Sequence, residues 1–346
     1  MQVQLVAAPG PEWDRFVESR PDAVLGHAGA WAHVLRDAYR LAPVYLEARE
    51  SDGDLAGVLP LVLFRSLRWQ RELVSLPFLD VAGILARSSA VETGLREAAL
   101  GLARETGAQA LEFRQLARRA TEPSQALPNR VGLVLPLASA EEAQWKSLPA
   151  KVRNQTRKSR REGLRIVSGP PDLLRRGFYE VFRVNMRDLG SPVHAERLFE
   201  EAARRFGSRL RFVVASLGER PVGGLVAIRF GATVSVPWAS TLRSERPRCP
   251  NNLIYWEALR WAVEQGAEEF DFGRSPRHSG TYRFKRGWGA EERPLAWERF
   301  APDGASLPLR GAGDSALLNQ LSKLWTAIPV PLSSALGPRV RRFLSE

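Results

Sequence analysis

The stretch Arg211-Phe-Val-Val-Ala215 … Pro221-Val-Gly-Gly-Leu225, followed by Gly266-Ala-Glu-Glu-Phe-Asp-Phe272, decides the fold. Apolar runs flank the turn Gly218-Glu-Arg-Pro221, so 210–216, 222–230 and 233–239 read as consecutive strands. Next comes 253–264, where Leu253, Trp256, Ala258, Leu259 and Val263 supply one buried helical side, ended at Gly266. Residues 269–273 form the following strand. Strands, a helix and a returning strand predict an α/β (α+β) domain on a mixed central sheet.

Outward from this core, the same order occurs earlier in the chain. Val44-Tyr-Leu-Glu-Ala48 and Leu55-Ala-Gly-Val-Leu59 flank the turn Ser51-Asp-Gly-Asp54, and the second strand is expected over 55–64. An extended stretch at 73–85 and an amphipathic helix at 92–106 follow. Gly107-Ala-Gln-Ala-Leu-Glu-Phe113 then matches Gly266–Phe272, about 160 residues away. Two similar domains are therefore expected, over 1–130 and 131–300, with a tail over 301–346. The second domain begins with a strand at 131–136 and a polar, basic helix at 141–163, and adds helices at 175–189 and 195–206. The Arg-, Ser- and Pro-bearing segment 115–131 reads as the connection.

Composition narrows the function classes. The 346 residues are 44% hydrophobic and 25% charged, which excludes wholesale disorder. No run of 18 apolar residues exists, and residues 1–16 carry Glu12 and Asp14 where a secretory leader would be basic and then apolar. The expectation is a cytoplasmic protein, with contact at the inner membrane face open. A single cysteine, Cys249, excludes an internal disulfide and a cysteine-built metal site. The four histidines, His27, His33, His194 and His278, lack metal-ligand spacing, so no metal is expected.

The net charge of +12 would ordinarily point to a polyanion. Only five of the 50 basic residues are lysine, an arginine bias that reflects codon composition more simply than phosphate recognition. Residues 151–165 nevertheless hold seven basic residues and one acid, half the net charge. That is where an anion should be sought.

Four motifs stand out: Lys151-Val-Arg-Asn-Gln-Thr-Arg-Lys-Ser-Arg-Arg-Glu-Gly-Leu164, Met186-Arg-Asp-Leu-Gly-Ser-Pro-Val-His194, Asn251-Asn-Leu-Ile-Tyr-Trp-Glu-Ala258, and Asp271-Phe-Gly-Arg-Ser275 with Gly280-Thr-Tyr-Arg-Phe-Lys-Arg-Gly-Trp-Gly289. With the doubled strand–helix order, they make residues 1–300 resemble the Fem peptidoglycan aminoacyltransferases. The likeness is greatest to the FemAB-related branch associated with exosortase/PEP-CTERM exopolysaccharide systems. The resemblance implies two tandem GNAT-like (acyl-CoA N-acyltransferase) domains and an acyl or aminoacyl transferase acting on an amine or hydroxyl. Its donor would be acyl-CoA or an aminoacyl-tRNA bound in the second domain, its acceptor a small-molecule or lipid-linked precursor of the cell envelope. Transfer RNA and an anionic membrane are further candidate partners; DNA is not expected.

Residue chemistry fills in the site. Arg153, Arg157, Arg160 and Arg161 fall on one helical side, where they repel one another by about 0.3 kcal/mol per pair until an anion is bound. Gly190 and Pro192 form a stiff turn that presents His194, a candidate base. Asn252 reads as the N-cap of the 253–264 helix, although Arg248-Cys-Pro-Asn-Asn252 replaces the Gly-rich turn that holds a CoA pyrophosphate, which disfavours that donor. In 280–289, Tyr282, Phe284, Lys285 and Trp288 could wall a recess, with Lys285 neutralising donor phosphate or oxyanion and Asp271 orienting it or holding the amine. A β-hairpin with core aromatics is the other reading of that segment. The expected catalytic residues are Lys285, His194 and Asp271. The expected donor and substrate contacts are Arg153, Arg157, Arg187, Ser240, Asn252, Tyr255, Arg274, Tyr282 and Trp288. No Ser/His/Asp spacing marks a covalent nucleophile, so direct attack is expected. The alternative is a non-catalytic protein of the same fold that holds an anionic polysaccharide or lipid phosphate. The tail, with Leu317, Leu318, Leu321, Leu324, Trp325 and Ile328 on one side and Arg339, Arg341 and Arg342 beyond, either packs on the body or rests on a membrane.

Overall fold

A computed structural model describes residues 1–117, 126–309 and 322–345. They fall into two compact units. One holds the described residues of Met1–Asn129, Pro294–Ala316 and Arg339–Glu346; the other holds those of Arg130–Arg293 and Leu317–Pro338.

The first unit contains β1 (Gln2–Val6), α1 (Pro11–Glu18), α2 (Ala30–Tyr39), β2 (Ala42–Pro43), β3 (Tyr45–Arg49), β4 (Leu55–Leu59), β5 (Val62–Arg65), β6 (Arg71–Val74), β7 (Leu85–Ala86), α3 (Ser89–Glu105) and β8 (Ala110–Leu116). Strands β1, β3, β4 and β7 pair antiparallel. Strands β2, β5, β6 and β8 form a second group in which β6 and β8 run parallel. Helix α3 starts at Ser88, whose side chain accepts the Val91 N–H, and buries Leu95, Ala99, Leu102 and Ala103. It seats closely because Gly57 has no side chain: a Cβ there would lie 2.6 Å from Val91 Cγ1.

Two expectations for this unit need correction. The strand expected over 55–64 breaks at Pro60 into β4 and β5, which join different groups, because proline brings no N–H to a ladder. The stretch 73–85 is strand only at its ends, in β6 and β7, and the largely buried residues between them are not one extended run. Leu76 and Phe78 adopt φ of 60° and 73° on either side of Pro77, so the chain turns, and the Phe78 N–H goes to Ser345 O. A buried loop and a buried strand share the same apolar composition. Of the connection expected over 115–131, residues 126–131 are strand, and 118–125 lie outside the described residues.

The second unit continues with β9 (Ala126–Pro136), α4 (Glu141–Ser147), α5 (Ala150–Arg161), β10 (Leu164–Ile166), α6 (Pro171–Asp188), α7 (Glu196–Phe206), β11 (Leu210–Leu217), β12 (Arg220–Phe230), β13 (Thr233–Thr241), α8 (Pro250–Glu264), β14 (Glu269–Pro276) and α9 (Gly280–Arg286). Its sheet runs β10-β11-β12-β13-β14-β9, antiparallel except between β13 and β14. Val213 and Ala215 of β11 join the core around α8, whereas Val214 between them meets Gly177 of α6. Alternate residues point to opposite faces, so α6 and α8 cover opposite sides of the sheet. The strand β15 (Glu291–Phe300) follows, and its residues Leu295–Phe300 pair antiparallel with β8.

Three elements here depart from expectation. The helix expected over 141–163 is two helices, because Leu148 precedes Pro149 and takes an extended ψ of 144°. Helix α8 begins at Pro250, and its N-cap is Cys249 at φ 58°, so Asn252 lies inside the first turn. Residues 280–286 form neither an open wall nor a hairpin but helix α9, capped by Ser279, whose hydroxyl accepts the Tyr282 N–H at 3.1 Å.

Candidate functional site

The second unit opens where the parallel pair β13 and β14 parts. Strands β13 and β14 pair only at Thr233–Glu269, Val234–Phe270 and Ser235–Asp271. Beyond that, β13 runs on to Thr241 against β12, while β14 continues to Pro276 against β9. A bulge in β14 drives the divergence. Asp271 Oδ1 accepts the Gly273 N–H at 2.8 Å, Gly273 sits at φ 72°, and the register shifts between Asp271 and Arg274. Strand β13 also shifts register against β12 between Val226 and Ile228. The crossover β13–α8–β14 places the start of α8 after the carboxyl end of β13, the end at which open α/β sheets bind ligands.

On the β14 arm, Lys285 Nζ donates to Gly273 O at 3.0 Å and to Arg274 O at 2.9 Å. Lys285 is only 8% exposed, and burying an ammonium is costly without such acceptors. Lys285, Asp271 and Arg274 thus meet at one bulge.

On the β13 arm, Ser240 Oγ accepts from Asn185 Nδ2 of α6 at 3.0 Å, both residues being buried. The His194 ring stacks on Phe182 and meets the edges of Phe199 and Trp238. Tyr179 OH donates to His194 O at 3.0 Å, and burial raises this phenol to about 12. The loop carrying His194 is held from outside. A Cβ on Gly190 would lie 2.0 Å from Ser322 Oγ, and one on Gly337 would lie 2.7 Å from Val193 Cγ1 and 2.8 Å from Val193 N. Within the tail, residues 322–338 therefore pack on this loop through Ser322 and Gly337, with Arg187 Nη1 donating to Ile328 O at 3.4 Å. Leu317, Leu318 and Leu321 lie outside the described residues.

The other expected contacts lie elsewhere. Tyr255 and Trp288 are core residues, with Tyr255 stacked on Phe272 at 5.3 Å and Trp288 6.2 Å from Tyr255. Burial raises the Tyr255 phenol far above its ordinary range. Tyr282 OH donates to Glu292 Oε1 at 2.6 Å, which raises its pKa. Asn252 ties α8 to α5 through Gln155 Oε1 at 3.3 Å. Arg153 is half-buried, and Arg157 is exposed with its guanidinium 5.4 Å from the Trp145 ring centre. Trp145, Trp256, Arg160, Glu141 and Glu142 line a recess of about 390 Å³.

The turn before α8 does not fit a CoA pyrophosphate. Pro250 lacks an N–H, the Asn252 N–H already bonds Cys249 O at 3.1 Å, and Arg248 is engaged by Glu245 and Glu162. Among the described residues no group of His, Cys, Asp or Glu could hold a metal ion, and no helix is long and apolar enough to cross a membrane.

Asn185 is a site residue that lies outside the four motifs. Phe178, Val181, Phe182 and Asn185 are spaced as one buried helical face, so an amide at the fourth position was a readable signal for a buried polar partner. Tyr179 and Trp238 gave no such signal.

Comparison with known proteins places the fold. The Acetyltransferase (GNAT) domain family matches residues 146–286. The solved structure of FemX aligns over 85% of this chain and 96% of its own, with TM-score 0.65 and 13% identity. A tandem GNAT protein from the clavulanic acid biosynthesis pathway aligns over 87% and 98%, with TM-score 0.54 and 13% identity. L-PGS from Bacillus licheniformis aligns over 93% and 97%, with TM-score 0.53 and 14% identity. Comparison with curated proteins gives no match. The chain has the tandem GNAT fold, two α/β units with mixed sheets.

Proposed function

We propose that this chain transfers an activated acyl or aminoacyl group to an amine or hydroxyl of a cell-envelope or exopolysaccharide precursor, at the cytoplasmic face of the membrane. The observation that carries this reading is the parting of β13 from β14 beside a buried lysine. Two strand edges there have backbone groups that no longer pair with each other, so the amide-bearing part of an extended donor can hydrogen-bond along them.

In this reading the acceptor attacks the acyl carbonyl directly. A bond forms from its nitrogen or oxygen to the carbonyl carbon, and the donor's leaving group departs with the acceptor's proton. Ser240, oriented by the Asn185 amide, donates to the developing oxyanion. His194 takes the acceptor proton and returns it to the leaving group, with Asp271 as the second candidate base. Lys285 acts as a positioning residue that fixes the bulge and adds a positive charge to the β14 arm. Arg187 and Arg274 are proposed to steer the anionic part of the substrates, and Arg153 and Arg157 a polyanionic donor such as an aminoacyl-tRNA. The poor fit of the α8 turn to a pyrophosphate supports a donor other than acyl-CoA.

A second reading rests on the exposed arginines of α5. Arg157, Arg160 and Arg161 would hold an anionic polysaccharide or lipid phosphate without chemistry. Ser240→Ala separates the two. A transferase loses turnover and keeps acceptor binding, whereas a pure binder has no turnover to lose.

A further inference from the structure

We infer that the tip of the β5–β6 hairpin, joined by residues 339–343, is a docking surface for an anionic lipid bilayer. The inference stands on the first unit alone and does not need the acyl-transfer reading.

The hairpin pairs Arg65 with Arg71 and turns through residues 66–70, closed by Ser66 N–H to Gln70 O at 2.9 Å. At its tip Trp69 is held at φ 61°, a left-handed conformation that is strained for a bulky side chain. Burial gives nothing in return, since Trp69 is 68% exposed and Leu67 is 45% exposed. A strained, solvent-facing tryptophan beside an exposed leucine is a cost to a freely soluble domain, and it is recovered where both side chains enter the apolar edge of a bilayer.

The surroundings specify the kind of bilayer. Residues 61–71 and 339–345 contain six arginines (Arg65, Arg68, Arg71, Arg339, Arg341 and Arg342) and no carboxylate. The guanidiniums are interleaved with the rings: Arg65 lies 5.3 Å from the Trp69 ring centre, Trp69 is 5.7 Å from Phe343, and Arg342 is 5.2 Å from Phe343. Aromatic rings at headgroup depth with arginines around them complement a surface that is apolar within and negative at its rim. A nucleic acid would also attract the arginines. It needs a groove or a flat stacking platform, however, and an aliphatic Leu67 on a protruding turn supplies neither.

The test is co-sedimentation of the full chain with vesicles, without donor or acceptor present. Vesicles of equal parts phosphatidylcholine and phosphatidylglycerol should carry the protein down, and phosphatidylcholine alone should not. Trp69→Gly keeps the fold, because glycine accepts the left-handed backbone, and should weaken binding on the order of tenfold or more. Arg65→Gln with Arg68→Gln should weaken it roughly tenfold and flatten its salt dependence. Unchanged melting temperatures show that the variants fold. Absence of sedimentation with the mixed vesicles, equal binding to both vesicle types, or undiminished binding by Trp69→Gly overturns the inference. So does binding of an RNA oligonucleotide in place of vesicles.

Discussion

The ammonium of Lys285 lies 3.0 Å from the carbonyl oxygen of Gly273, and the same nitrogen reaches Arg274 O at 2.9 Å. Two successive carbonyls of a regular strand point to opposite sides, so one cation reaches both only because the bulge turns them together. The charge of α9 is thereby committed to the shape of β14.

Lys285→Met should therefore cost about 2 kcal/mol of stability, since it leaves two carbonyls without their buried donor. Urea unfolding measures this. Lys285→Arg should recover part of it. If Lys285 acts by position, both variants should lower kcat while leaving the pH profile of transfer unmoved.

Ser240→Ala removes the hydroxyl that Asn185 orients. The expected result is a fall of roughly 10²-fold in kcat with little change in acceptor KM, as for loss of one oxyanion donor. Asn185→Leu should show a smaller fall, because the hydroxyl remains but turns freely.

Gly337→Ala places a methyl 2.7 Å from Val193 Cγ1 and 2.8 Å from Val193 N. Backbone cannot yield as a side-chain tip can, so a cost of about 1–3 kcal/mol is expected. Hydrogen exchange should rise in residues 190–194 and 322–338 together. Faster exchange in the tail alone would show that it does not hold the loop.

His27 gives a pH dependence in the first unit. Its Nδ1 accepts the Val24 N–H at 3.0 Å, so the proton sits on Nε2, which donates to Gly83 O at 3.1 Å. Burial lowers its pKa from 6.5 to about 4. Below pH 6.5 the unfolded ring takes a proton that the folded one refuses until about pH 4. Stability should thus decline by about 3 kcal/mol as pH falls across that window. His27→Gln should flatten the urea midpoint between those values.

Much of the fold was legible because strands, turns and helices leave periodic marks. The paired strands at Val44 and Arg211, the Gly-Ala entries at Gly107 and Gly266, and the helix around Leu253 all stand where the patterns placed them. Pro60 and Pro149 interrupt a strand and a helix that the surrounding pattern would continue, because a breaker acts locally. The site was less legible. Asp271, Arg274 and Lys285 meet through a bulge that depends on Gly273 at positive φ, and Ser240 meets Asn185 across 55 residues. Nothing in composition or spacing encodes a register shift. Trp288 reads as a ligand wall because a core aromatic and a stacking aromatic are the same residue type, and Tyr255, a candidate contact for its hydroxyl, is buried in the same core.

The most direct test of acyl transfer is to supply isotopically labelled aminoacyl-tRNA, and separately labelled acyl-CoA, with a pool of amine- and hydroxyl-bearing envelope precursors, and to follow the label by mass spectrometry. Label should move into a precursor without appearing on the protein, and Ser240→Ala and His194→Gln, folded to the wild-type melting temperature, should abolish most of that movement. Label that stays on every donor offered, or moves equally well with both variants, would contradict a reaction at the parting of β13 and β14.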